Sequence, residues 1–163
     1  MPKETQERDD WRDNTHLNTW LTERKESFPT WAAEAGGGWD FSLASLTQLV
    51  NLVLGVYRSY EEMQDAAQKA DPFLAGAVWY LGEVQIRSSG AAWHCRPEPD
   101  HTPLQVGDPF IRMPEDPEHE CDDECDEYDD DHYVPSATPF DQLARLLLLG
   151  PDHRLQDDLL TGP

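Results

Sequence analysis

An α+β fold is predicted for this chain by three observations. Apolar residues recur at helical spacing through 43–56 and again through 72–88. Between 91 and 113 the pattern shortens to strand-like alternation, broken by Pro, Asp and Gly. A capped helix start then follows a long acidic stretch. Helices, a small antiparallel sheet of about three strands, and a closing helix make a segregated α+β order.

Each element has a local reason. Residues 1–14 read as a flexible N-terminus, and 15–163 as a single α+β domain. Thr15 to Ser27 reads as a helix with Leu17, Trp20 and Leu21 on one side, ended by Pro29. Gly36-Gly37-Gly38 makes a joint, and Trp39-Asp40-Phe41 a short extended entry. Ser42 is a good N-cap for a helix whose apolar face holds Leu43, Leu46, Leu49, Val50, Leu52, Val53 and Val56. Ser59 and Glu62 have capping-box spacing, so a helix restarts there and runs to Ala70. Asp71-Pro72 opens the next, which carries Phe73, Leu74, Ala77, Tyr80, Leu81 and Val84 and stops at Gly90. Three strands are expected at Ala91–Arg96, Leu104–Val106 and Phe110–Met113. Thr138-Pro139-Phe140-Asp141 starts a helix that buries Leu143, Leu146 and Leu147 and closes at Gly150-Pro151. His153 to Leu160 adds one more short helix.

Charge excludes several functions. The 163 residues hold 12 Lys and Arg against 33 Asp and Glu, a formal net charge of −21. Direct binding to nucleic acid or to an anionic membrane surface needs clustered cations, which are missing here. No apolar run approaches the roughly 18–20 residues of a membrane span. The start, MPKETQERDD, is polar and reads as no secretory signal, so the expected location is cytoplasmic. Yet 38% of the residues are hydrophobic, too many for a chain that never folds.

The acid is concentrated. Glu115 to Asp131 holds 12 carboxylates in 17 residues with no Lys or Arg. Such a block repels itself until a cation or a basic partner neutralises it. The stretch 114–135 therefore reads as a disordered acidic loop inserted in a folded domain.

The middle of the chain resembles a family of small uncharacterised bacterial α+β proteins of actinobacterial type. The residues that carry the resemblance are Trp39-Asp40-Phe41-Ser42-Leu43 with Ser45-Leu46, Asp71-Pro72-Phe73, Tyr80-Leu81-Gly82-Glu83-Val84 and Gly90-Ala91-Ala92-Trp93. It covers residues 39–113 and leaves the acidic loop outside. It implies an α+β fold and a loose association with toxin immunity, and it carries no catalytic residue across.

The residues offer few starting points for catalysis. His119, Cys121, Cys125 and His132 supply a Cys₂His₂ set for zinc, although the thiols are four apart and the histidines flank them. Asp122, Glu124, Asp126, Tyr128 and Asp130 alternate as in an EF-hand loop, but position six lacks Gly and position twelve is Tyr133. Cys95 beside His94 is the only local nucleophile–base candidate, and neighbours on a strand point to opposite faces. Walker A, G-x-G-x-x-G and G-x-S-x-G motifs are all missing from the sequence. Glu83 sits on a mostly apolar helix beside Gly82, which permits close approach of another backbone, and Arg87 lies at pairing distance.

The expected function is a non-catalytic, acidic protein-binding module: an immunity-like or antitoxin-like protein, or a nucleic-acid mimic, that neutralises a basic protein. Its contact residues are Glu120, Asp122, Asp123, Glu124, Asp126, Glu127, Tyr128, Asp129, Asp130 and Asp131. The alternative is a zinc-binding regulatory protein or enzyme whose Cys/His/acidic loop orders on metal. Nothing in the sequence sets the oligomeric state.

Overall fold

The computed structural model describes residues 11, 13–69, 71–96, 104–113 and 136–149. They form a mostly helical α+β fold with a three-stranded antiparallel sheet.

Helix α1 spans Thr15–Ala35. The Asn14 side chain caps it by accepting from the Leu17 N–H at 2.9 Å. Pro29 lies inside this helix and does not end it. An interior proline costs about 3 kcal/mol through a lost hydrogen bond and a ring clash. Aromatic packing on both sides of Pro29 offsets that cost. Phe28 lies 5.4 Å from Trp79 between ring centres, and the Trp31 indole donates to the Phe73 carbonyl at 3.0 Å. Gly36, with φ 74°, then ends the helix, its N–H returning to the Ala32 carbonyl at 2.9 Å.

The expected extended entry at Trp39–Phe41 forms no strand. Phe41 instead takes a left-handed φ of 62°, unusual for an aromatic residue. The Tyr80 hydroxyl accepts from its N–H at 3.0 Å and shares a 2.6 Å hydrogen bond with Ser45 Oγ. Ser42 is a cap as expected, but of a 3₁₀ turn over Leu43–Ser45 that leads into α2, Leu46–Val56. Helix α3, Tyr60–Gln68, begins at Ser59, whose Oγ accepts from the Glu62 N–H at 3.2 Å. The Glu62 carboxylate reaches back one residue further than a capping box, to the Arg58 N–H at 2.8 Å.

Helix α4, Pro72–Ser89, is the central element, and α1, α2, α3 and the sheet pack on it. Asp71 holds its start. One carboxylate oxygen accepts from the Phe73 N–H at 3.2 Å and the other from the Tyr57 hydroxyl at 3.0 Å. Burial, then the Asp71 charge, holds the Tyr57 phenol well above its ordinary range, so this donor keeps its proton. Gly90 closes the helix in the left-handed conformation. Residues 74–82 are buried without a break. Two glycines in that run have a steric purpose. A Cβ at Gly76 would collide with the Trp31 ring and one at Gly82 with the Trp93 ring. The close neighbour expected at Gly82 is therefore an indole rather than a backbone.

The sheet runs β1 (Ala92–His94), β2 (Phe110–Arg112), β3 (Ser136–Ala137), in that spatial order. Trp93 pairs with Ile111, and Ile111 with Ala137. Two of the three expected strands form. Leu104–Val106 does not pair. Both its apolar side chains are buried, but the backbone turns, with the Asp108 N–H donating to the Gln105 carbonyl at 3.0 Å. The third strand is the two-residue β3, too short to leave a periodic signal.

Helix α5, Pro139–Leu149, starts where Thr138-Pro139 places it and buries Leu143, Ala144 and Leu146. It is fixed to α4 by a reciprocal amide pair between Gln85 and Gln142, at 2.7 and 3.0 Å. Gly150-Pro151 and the expected helix at 153–160 lie outside the described residues.

The topology bears on the acidic stretch. Arg112 and Ser136 are direct partners across β2 and β3. The chain thus leaves the sheet and re-enters it at neighbouring positions, with residues 113–135 between them.

Candidate functional site

The acidic contact set from Glu120 to Asp131 lies outside the described residues, as do His119, Cys121, Cys125 and His132. Among the described residues no group of three His, Cys, Asp or Glu side chains is arranged to hold a metal ion. None of their helices is long and apolar enough to cross a membrane.

Cys95 is free and buried at the end of β1. Its backbone N–H donates to the Trp11 carbonyl at 2.8 Å, and its carbonyl accepts from Asn14 Nδ2 at 3.1 Å. Burial, with Asp108 nearby, pushes the thiol up to about 11, so it is protonated and inert at neutral pH. His94 is buried too, stacked on its cross-strand partner Phe110 with ring centres 5.6 Å apart. Its Nδ1 lies 2.9 Å from the Ala92 carbonyl. These environments suit packing and do not bring the two side chains together as nucleophile and base.

Glu83 is different. It lines a cleft of about 640 Å³ together with Asp13, Leu21, Ile86, Ala91, Ala92 and Trp93. The parts converge for local reasons. The cap at Asn14 places Asp13 just before α1, and Leu21 follows nearly two turns into that helix. Glu83 and Ile86 are three residues apart, on one face of α4. Gly90 turns the chain sharply, which sets Ala91, Ala92 and Trp93 alongside the helix they have just left.

The expected Glu83–Arg87 pair does not form. The Arg87 guanidinium carbon lies over the Phe41 ring at 3.7 Å from its centre. An aromatic face that is itself packed against Trp79 and Tyr80 offers the cation a poorly hydrated partner. Among the described residues no ion pair or hydrogen bond is made by the Glu83 carboxylate.

Burial pushes the Glu83 carboxyl above its usual range, against weaker opposing pulls from Arg87, the Trp93 indole and Lys25. Trp93 is only 6% exposed, and its Nε1–H has no hydrogen-bond partner. That N–H lies close enough to favour the charged carboxylate, yet outside hydrogen-bonding geometry.

A pH-dependent stability effect follows. A raised folded-state value means that the fold favours the protonated carboxyl. The cost of ionising Glu83 is absent below the unfolded value of about 4.3 and grows as pH rises through the folded one. Glu83→Gln is therefore expected to be more stable than wild type at neutral pH, with the gap closing towards about pH 4. Denaturant unfolding of both proteins at the two pH values checks this. A variant less stable at neutral pH would mean that the ionised carboxylate is held by a stabilising partner.

The sequence pointed to Glu83 as an odd carboxylate on an apolar helix. It gave no sign of Asp13, Leu21 or the Trp93 N–H, which reach the cleft only through tertiary packing. No family model, no curated protein and no solved structure matches the chain.

Proposed function

We propose that the protein is a non-catalytic acidic binding module that neutralises a basic protein partner, in the manner of an immunity protein, an antitoxin or a nucleic-acid mimic. The observation that carries this reading is the density of charge between Glu115 and Asp131, 12 carboxylates in 17 residues without a compensating cation. Charge at that density speeds encounter with a cationic surface and competes with phosphate for it. The pairing of Arg112 with Ser136 supports the reading, because it sets the two ends of this segment side by side on the folded sheet. Tyr128 and Tyr133 add apolar contact area among the acids.

Affinity capture from a cell extract tests the reading. The bait is either the intact chain or a variant in which Asp116 to Tyr133 is replaced by a short Gly-Ser linker. The variant should fold with its thermal midpoint little changed, since loop-closure entropy varies slowly with length. Basic proteins should bind the intact bait at low salt, elute at high salt, and be missing from the deleted bait. Equal capture by both folded baits would refute the reading.

A further inference from the structure

We infer that the cleft beside Glu83 receives a cationic side chain of a basic partner, its alkyl stem on Leu21, Ile86, Ala91 and Ala92 and its charged head at the Glu83 carboxylate. This rests on the reading that the partner is basic, and it adds a place on the folded body where one of that partner's residues is seated.

Three observations converge. The walls are mixed in the way an alkyl cation needs, with four apolar side chains beside two carboxylates, Asp13 and Glu83. The Glu83 carboxylate is in no ion pair among the described residues, although Arg87 and Lys25 are near enough to influence it and the Trp93 indole acts on it from outside hydrogen-bonding geometry. Arg87 is engaged with Phe41, and Lys25 is exposed. Finally, the same wall holds an unsatisfied donor, the buried Nε1–H of Trp93. A buried donor without an acceptor is costly, and an ionised carboxylate beside it is the acceptor it lacks. A cation entering the cleft favours the ionised form of Glu83. The carboxylate then serves the ligand on one side and the indole N–H on the other, while the proton of the neutral form leaves to solvent. The groups that face Glu83 are Lys25 from α1, Asp13 before it, Arg87 on α4 and Trp93 from β1. None of them places a full positive charge on the carboxylate, so the ligand has that role.

The full chain, labelled with ¹⁵N, tests this by titration with n-butylammonium chloride at fixed ionic strength. The reporter is the Trp93 indole N–H resonance, assigned by its loss in Trp93→Phe. It should move saturably in wild type, and the midpoint should weaken by about fivefold or more in Glu83→Gln, the loss of roughly 1 kcal/mol of charge-assisted binding. Binding should tighten as pH rises through the titration of Glu83. N-acetyl-lysine methylamide and N-acetyl-arginine methylamide then separate an ammonium from a guanidinium ligand. A flat titration, an equal midpoint in Glu83→Gln, or the same response to n-butanol would overturn the inference. The reporter, Trp93, lies on the folded body and not in the acidic segment, so each of these results leaves the capture experiment to decide the wider reading.

Discussion

Trp93→Ala is expected to destabilise the fold by about 3–5 kcal/mol, the range for truncating a buried Trp. Three features place it at the upper part of that range. The indole is 6% exposed, meets Trp20 edge-on with ring centres 5.3 Å apart, and fills the space above Gly82. Gly82 has no side chain that could move into the void, so the cavity cannot collapse from the α4 side. The indole N–H makes no hydrogen bond in the wild type, so the ring accounts for most of this loss. Trp93→Phe should therefore cost much less, about 1–2 kcal/mol, since a ring still covers Gly82. Urea unfolding of both variants measures the difference. Equal losses would mean that the N–H, not the ring, carries the stability.

The second large effect is expected at the α4–α5 contact. Gln85 is fully buried and Gln142 is 3% exposed, and each amide donates to the carbonyl oxygen of the other. Gln85→Leu leaves a buried carbonyl and a buried N–H of Gln142 without those partners. Buried polar groups that lose such a partner cost up to about 1–3 kcal/mol, more than the net gain from the hydrogen bond itself. Gln142→Leu should do the same to Gln85. The double variant removes both amides together and should be more stable than the sum of the single losses implies. A double-mutant cycle should return a coupling of about 1–3 kcal/mol. Simple additivity would mean that the two amides are satisfied independently.

Local chemistry was legible in the sequence. Asp71-Pro72, Ser59 and Thr138-Pro139 start helices where capping and the fixed φ of proline place them. Gly90 ends α4 because only glycine enters the left-handed region without penalty. What escaped was set by contacts between distant residues. Pro29 reads as a stop, yet the helix runs through it, with Phe28 packed on Trp79 and the Trp31 indole bonded to the Phe73 carbonyl on α4. Leu104 and Val106 alternate like strand residues, and both are buried, but their backbone bonds close a turn instead of a ladder. Ser136 and Ala137 form a strand only because Arg112 and Ile111 offer a paired edge.

The cleft was legible in one residue only. A carboxylate among Leu81, Gly82 and Val84 draws notice in any sequence. Its expected partner Arg87 goes elsewhere because Phe41, held in an unusual left-handed turn, presents a ring to it. No spacing rule encodes that competition, since it depends on a loop residue placed by Tyr80, 39 positions away.

The most direct test of the proposed function is the rate of association with a basic protein recovered by the capture experiment. Asp122, Asp123, Asp129 and Asp130 are changed together to Asn, which keeps side-chain size and removes four charges. Electrostatic steering raises association rates by about 10- to 1000-fold at low ionic strength, so the variant should associate roughly tenfold or more slowly there. In about 1 M salt the screening length falls to roughly 3 Å, and the two rates should converge. Association rates that are the same for both proteins, and indifferent to salt, would contradict the account.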